Sequence, residues 1–210
     1  MKLFMFPIAP NPTKVRLYLA EKRAAGAVID VEEVPVNLPA GDQKKPELLA
    51  RNPFGKLPVL ETRSGQSLFE SLAIIDYLEA LHPEPSLWGR DIEARARARQ
   101  IERVAELGVQ RPISQIVHTT DSPLGLPPDP HLADYFRRAL PPALDYLERL
   151  LEDGGPFLAG TDVTVADCTL AAGLQFGRFR KLDFLGDHPA LGRWDADYRA
   201  RATAASVLLL

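Results

Sequence analysis

The chain has one cysteine, Cys168, in 210 residues. That excludes an internal disulfide framework, a CxxC redox pair and a cysteine-based zinc site, and it fits a reducing compartment. Histidine is also scarce, and the four at positions 82, 118, 131 and 188 show no metal-ligand spacing. A net charge of −3 gives no reason to expect nucleic acid or an anionic membrane as partner. There is no run of about 18 apolar residues and no signal-peptide core at the N-terminus, so a cytoplasmic protein is expected. Internal repeats and low-complexity tracts are missing as well. What is present is ordinary for a globular protein, with 46% apolar and 25% charged residues, in a length that suits one large domain or two small ones.

Strand signals are confined to the first third. Lys2–Phe6 is a short apolar strand, followed by Pro7–Pro12, whose three prolines exclude a helix there. The pattern predicts a helix from Thr13 to about Arg23, with Pro12 tolerated at its first turn. A strand over Val28–Val36 and a helical turn over Pro46–Arg51 come next. Residues 52–79 read NPFGKLPVLETRSGQSLFESLAIIDYLE. The apolar runs Leu57–Leu60 and Ser67–Phe69 flank a polar, glycine-containing loop, as in a hairpin. Leu72, Ile75, Leu78 and Leu81 then recur at one helical face. Pro58 donates no hydrogen bond at the start of its strand, which suits an edge, a turn or a cis bond. Glu70-Ser71 falls where strand passes into helix, where free N–H groups and the helix dipole favour an anion. An exposed backbone edge beside an anion site suits an extended, peptide-like ligand with a carboxylate. A simple helix cap at Glu70-Ser71 needs no ligand at all.

His82–Gly89, with two prolines and a glycine, reads as a linker, giving an α/β domain over 1–82, a linker over 83–90 and an all-α domain over 91–210. One long helix is expected from Asp91 to about Thr119, with Arg95, Arg97 and Arg99 on a solvated face. A second runs from His131 to Glu152, broken or kinked at Pro141-Pro142, and a last one spans His188–Arg201. Thr164-x-x-Asp167 has capping-box spacing before an apolar helix. Cys168, beside it, reads as a buried small hydrophobe rather than a reactive thiol.

The stretch NPFGKLPVLE with LFESLAIIDYL resembles the glutathione-binding half of the cytosolic glutathione S-transferase superfamily, and the likeness extends over nearly the whole chain. It implies a thioredoxin-like β-α-β-α-β-β-α domain joined to an all-helical domain that forms the second-substrate pocket. It also implies glutathione as co-substrate, no cofactor, a homodimer and a detoxifying transferase, with disulfide reduction as a possible further activity. In that family the residue before the cis proline pairs its backbone with the cysteinyl part of glutathione, and an acid-serine pair holds the γ-glutamyl carboxylate. Those roles carry to Leu57, Pro58, Glu70 and Ser71. Lys56 and Ala9 lie on the same side, and Gln43 matches the position that contacts the glycyl carboxylate, unless it is only a surface glutamine.

The reacting group is then the thiol of glutathione, which the protein must ionise. Plant phi-type members have Ser-x-Asn after the first strand, and bacterial nu-type members have Thr-Pro-Asn. Here Ala9-Pro10-Asn11 stands in that place, without the hydroxyl. Asn11 becomes the candidate thiolate donor, helped by backbone N–H groups at the start of the first helix, or else it only closes an Asx turn. Arg111 and Gln115, one turn apart, are candidates for the second-substrate pocket. A glutathione-binding protein without transferase activity and a pure interaction module are the alternatives.

Overall fold

The computed structural model describes residues 1–210. Four short strands, β1 (Lys2–Met5), β2 (Glu32–Pro35), β3 (Val59–Glu61) and β4 (Ser67–Phe69), form one sheet in the order β2-β1-β3-β4. β1 and β2 are parallel, and the other pairs are antiparallel. The helices α1 (Pro10–Ala24), α2 (Pro46–Leu49) and α3 (Ser71–Leu81) complete the thioredoxin-like order. The remainder is helical: α4 (Ile92–Val104), α5 (Arg111–Thr120), α6 (Pro130–Ala139), α7 (Pro141–Leu151), α8 (Val165–Phe179), α9 (Pro189–Ala200) and the single turn α10 (Ala202–Ala205). No helix is long and apolar enough to cross a membrane.

Three expectations are corrected. β2 is half the length the Val28–Val36 pattern suggests. The Arg23 guanidinium takes the carbonyls of Ile29 and Val31 at 3.0–3.2 Å, so that stretch needs no strand partner to satisfy them. α1 starts three residues early because Pro10 and Pro12 occupy first-turn positions where a missing N–H costs nothing. The long helix is not uniform: Ala105–Gln110 form a π-turn between α4 and α5. Pro112 follows it and has no N–H to give the carbonyl four residues back, at Gly108, so the regular ladder cannot run through. The Pro141-Pro142 pair divides the second helix as expected, with α6 ending at Ala139 and α7 starting at Pro141.

α8 carries the core of the helical half, with every residue from Val165 to Gly177 buried. Its capping box is formed as the Thr164–Asp167 spacing predicts. The Asp167 carboxylate accepts from the Thr164 N–H (2.9 Å), the Thr164 hydroxyl (3.0 Å), the Leu158 N–H (3.0 Å) and the Trp194 indole (3.1 Å). Cys168 is fully buried, and burial pushes its thiol well above its ordinary pKa, so it is not a nucleophile.

α1 is the seam between the two halves. It is buried on nearly all sides, which forces polar residues inside. Lys14 is fully buried and pairs with Glu102 (3.2 Å) and Glu106 (2.6 Å) of the long helix. The Glu21 carboxylate accepts from Arg201 and Thr203. Gln175 of α8 reaches Thr13 at 3.4 Å.

Candidate active site

The sheet register gathers the predicted residues at one end. Phe4 faces Val59 across β1 and β3, and Val59 faces Phe69 across β3 and β4. Past these pairs β1 ends at Met5, β3 begins at Val59 and β4 ends at Phe69, all at the same end of the sheet. The loop into α1, the Leu57-Pro58 step and the start of α3 therefore share one edge, with the N-termini of α1 and α3 both turned to it.

The Leu57–Pro58 bond is cis. The N–H and C=O of Leu57 have no partner in the protein, which leaves a free donor and a free acceptor on half-buried backbone. Lys56 is exposed, and its carbonyl accepts from Asn52 at 2.8 Å. Glu70 sits at φ 68°, a left-handed conformation that costs a non-glycine residue about 1–3 kcal/mol and collects at functional sites. It is exposed, and Ser71 behind it is buried at the first position of α3. Gln43 lies in a 3₁₀ turn (Asp42–Lys44) beside Gly55. It is buried, not on the surface, and its Oε1 has no partner.

At the first turn of α1 the structure narrows the choice of anion donors. Pro10 and Pro12 have no N–H, the Thr13 N–H is bonded to the Ala9 carbonyl (3.0 Å), and the Ala9 N–H to Phe6 (3.2 Å). The several backbone donors expected there reduce to one, the N–H of Asn11. The Asn11 side chain is exposed, and its Oδ1 accepts from Nε2 of Gln110 at 2.7 Å, leaving Nδ2 free. Asn11 thus offers two unengaged donor nitrogens, its backbone N–H and its side-chain NH₂, at the positive end of a fifteen-residue helix.

Beside Ala9 and Pro10 is a cavity of about 70 Å³ lined by Phe6, Leu124, Phe176 and His118 among others. His118 is its one titratable lining residue. Burial lowers its pKa and favours the neutral ring, whose Nδ1 meets the Ser122 hydroxyl at 3.0 Å. Arg111 and Gln115 do not line this cavity; Arg111 is exposed, and the pocket begins at His118, three residues beyond Gln115 on the same helix. The helical spacing that picks out Arg111 and Gln115 continues to His118 on the same face, so that signal was present in the sequence. Gln110 had no such signal, because the π-turn sets its direction. A larger cavity, about 680 Å³, lies behind the linker near Arg90 and Asp162 and includes none of these residues.

This edge, with two helix N-termini, an unpaired backbone step and an apolar cavity, defines a thioredoxin-like domain that shares its pocket with a helical one. Comparison with known proteins places it further. The chain belongs to the glutathione S-transferase family: residues 3–86 match the family's N-terminal domain and residues 127–204 its C-terminal domain. It is similar to glutathione S-transferase 2 of Saccharomyces cerevisiae, 32% identical over 99% of this chain and 89% of the yeast protein. A crystal structure of a glutathione S-transferase domain-containing protein from Marinobacter aquaeolei superposes with a TM-score of 0.86 at 33% identity, covering 97% of this chain and 100% of that one. A maleylacetoacetate isomerase of Pseudomonas aeruginosa is 38% identical over 48% of this chain and 46% of its own.

Proposed function

We propose that the protein is a glutathione transferase that stabilises the thiolate of glutathione with Asn11 and directs it at a small, uncharged electrophile. The two free donor nitrogens of Asn11 at the start of α1 carry this reading. Lowering a thiol from about 8.5 to about 6.5 takes roughly 2.7 kcal/mol of preference for the anion. Hydrogen bonds to a charged group contribute about 1.5–3 kcal/mol each and a helix terminus about 0.3–1 kcal/mol. Two donors from one residue therefore suffice without the hydroxyl that Ala9 lacks. In this reading the tripeptide backbone pairs with the free N–H and C=O of Leu57, next to Pro58 and Lys56. The γ-glutamyl carboxylate lies at Glu70 and Ser71, and the glycyl end near Gln43. The electrophile occupies the cavity under His118 and Phe176. Arg111 and Gln115 stand outside its lining and at most meet a larger substrate at the rim.

Several relatives are maleylacetoacetate isomerases. A dicarboxylate is a poor match for a cavity whose lining holds no arginine or lysine, and that favours transfer to an apolar acceptor over isomerisation. Cytoplasmic residence and the absence of any cofactor beyond glutathione go with this proposal.

Thiolate absorbance of the glutathione complex against pH tests it. Asn11→Ala is expected to raise the bound thiol's pKa by about one unit, the loss of roughly 1.4 kcal/mol. Ala9→Ser is expected to lower it where the new hydroxyl reaches the sulfur. If neither moves the titration and turnover with a generic electrophile is absent, the protein binds glutathione without transferring it.

A further inference from the structure

Gln110 is an expensive residue to keep where it is. It is buried at 3% exposure inside the π-turn, and its Oε1 has no hydrogen-bond partner. Burying an amide carbonyl without a partner costs about 1–3 kcal/mol, so a residue kept for packing alone would be apolar. Its single side-chain bond crosses from the helical domain to the first turn of α1, where Nε2 donates to Oδ1 of Asn11 at 2.7 Å.

The surroundings leave that side chain little freedom. A Cβ on Gly173 of α8 would come within 3.0 Å of the Gln110 Cα and Cβ, and a Cβ on Gly108 within 2.5 Å of Ala143. Two glycines therefore let the π-turn press against α8 on one side and α7 on the other. A π-turn inserts an extra residue per turn and re-aims the side chains around it, and such turns collect at functional sites. Here it points a glutamine across the domain boundary.

The Asn11 amide has one acceptor end and one donor end. A thiolate is stabilised only by the donor end; the carbonyl end would repel it. Rotation about the last torsion of an asparagine is soft, so an exposed Asn11 left to itself would present either end. We propose that Gln110 is a positioning residue that occupies the Asn11 carbonyl and so turns its NH₂ group toward the sulfur. This rests on the reading of Asn11 as the thiolate donor.

The test is a double-mutant cycle on the full chain, read as the thiol pKa of bound glutathione. Gln110→Met keeps the length and removes the donor. It is expected to raise the pKa by about half a pH unit, with turnover at pH 6.5 falling about twofold and the KM for glutathione little changed, since at a pH near the wild-type pKa that rise takes the thiolate fraction from about one half to about one quarter. In an Asn11→Ala background the same change is expected to add nothing. Gln110→Glu, whose ionised carboxylate can only accept, pulls the Asn11 NH₂ inward and is expected to raise the pKa further. It also serves if the methionine variant does not fold. A shift in Asn11→Ala with none in either Gln110 variant overturns the positioning role and leaves the thiolate reading standing. No shift in Asn11→Ala overturns both. A Gln110 effect that persists in full without Asn11 overturns positioning too, because Gln110 then acts by another route.

Discussion

Replacing Asp167 by alanine should cost far more stability than a typical helix cap. A capping residue lost from a helix costs about 0.5–2 kcal/mol. Asp167, however, is fully buried and receives four donors, two backbone N–H groups, the Thr164 hydroxyl and the Trp194 indole. The hydroxyl can rotate to another acceptor; the Leu158 N–H, the Thr164 N–H and the indole cannot. Three orphaned buried donors at about 1–2 kcal/mol each give roughly 3–6 kcal/mol. For a chain of this size that lowers the melting temperature by about 6–24 °C. Circular dichroism on heating and urea unfolding at 25 °C would measure it, with glutathione affinity taken on the folded protein as control. A loss below about 1 kcal/mol would refute the reasoning, since it would mean the donors are satisfied without the carboxylate. The same group gives a pH signature. Burial outweighs the four hydrogen bonds and raises the carboxyl from 3.8 to about 6. The folded state then holds a proton that the unfolded state has released between about pH 4 and 6, so this group's contribution to stability is full below pH 4 and falls as pH rises through 6. The fall is roughly 3 kcal/mol. In the difference between wild type and Asp167→Asn, that slope should appear in this window and nowhere above it.

Two further outcomes are expected. Glu70→Ala and Ser71→Ala should each weaken glutathione binding by one to two decades, read by calorimetry, from loss of a charge-assisted contact worth about 1.5–3 kcal/mol; unchanged dissociation constants in folded protein would remove the α3 terminus from the site. The protein should be a homodimer, because the Phe54 ring packs edge-on against Phe69 at 5.8 Å and still leaves 67% of its surface open. Light scattering showing a monomer at micromolar concentration, with Phe54→Ala no different, would end that claim.

What could be read from the sequence was whatever is local. The hairpin follows from the apolar runs Leu57–Leu60 and Ser67–Phe69 around a polar loop, and the α8 cap from four consecutive residues. α3 follows from the helical spacing after Ser71, although its buried apolar residues are Ile74, Ile75 and Leu78 and Leu81 is exposed. The loop Ala9–Pro12 was legible too, down to the missing hydroxyl. Pro10 and Pro12 also carried a message that composition alone holds, that they remove two of the N–H groups a helix start would offer. What the sequence did not reveal depends on partners distant in the chain. β2 is short because Arg23 takes its neighbours' carbonyls. Gln110 meets Asn11 across 99 positions, through a π-turn that helical periodicity does not anticipate. His118 was within reach of the helix pattern, but which turn faces the cavity is set by how α5 rests against α8.

The seam along α1 has a consequence for how such a protein can diversify. Apolar interfaces tolerate a new partner of roughly matching shape, whereas this one is addressed by charge. Lys14 requires both Glu102 and Glu106, and Glu21 requires Arg201. Grafting a different helical domain onto residues 1–81 would strand a cation and an anion inside, at about 3–5 kcal/mol for each broken buried pair, unless the graft brought its own matching charges. The two halves are therefore separate in architecture but matched in charge, and an exchange of either one has to carry the matching charges with it.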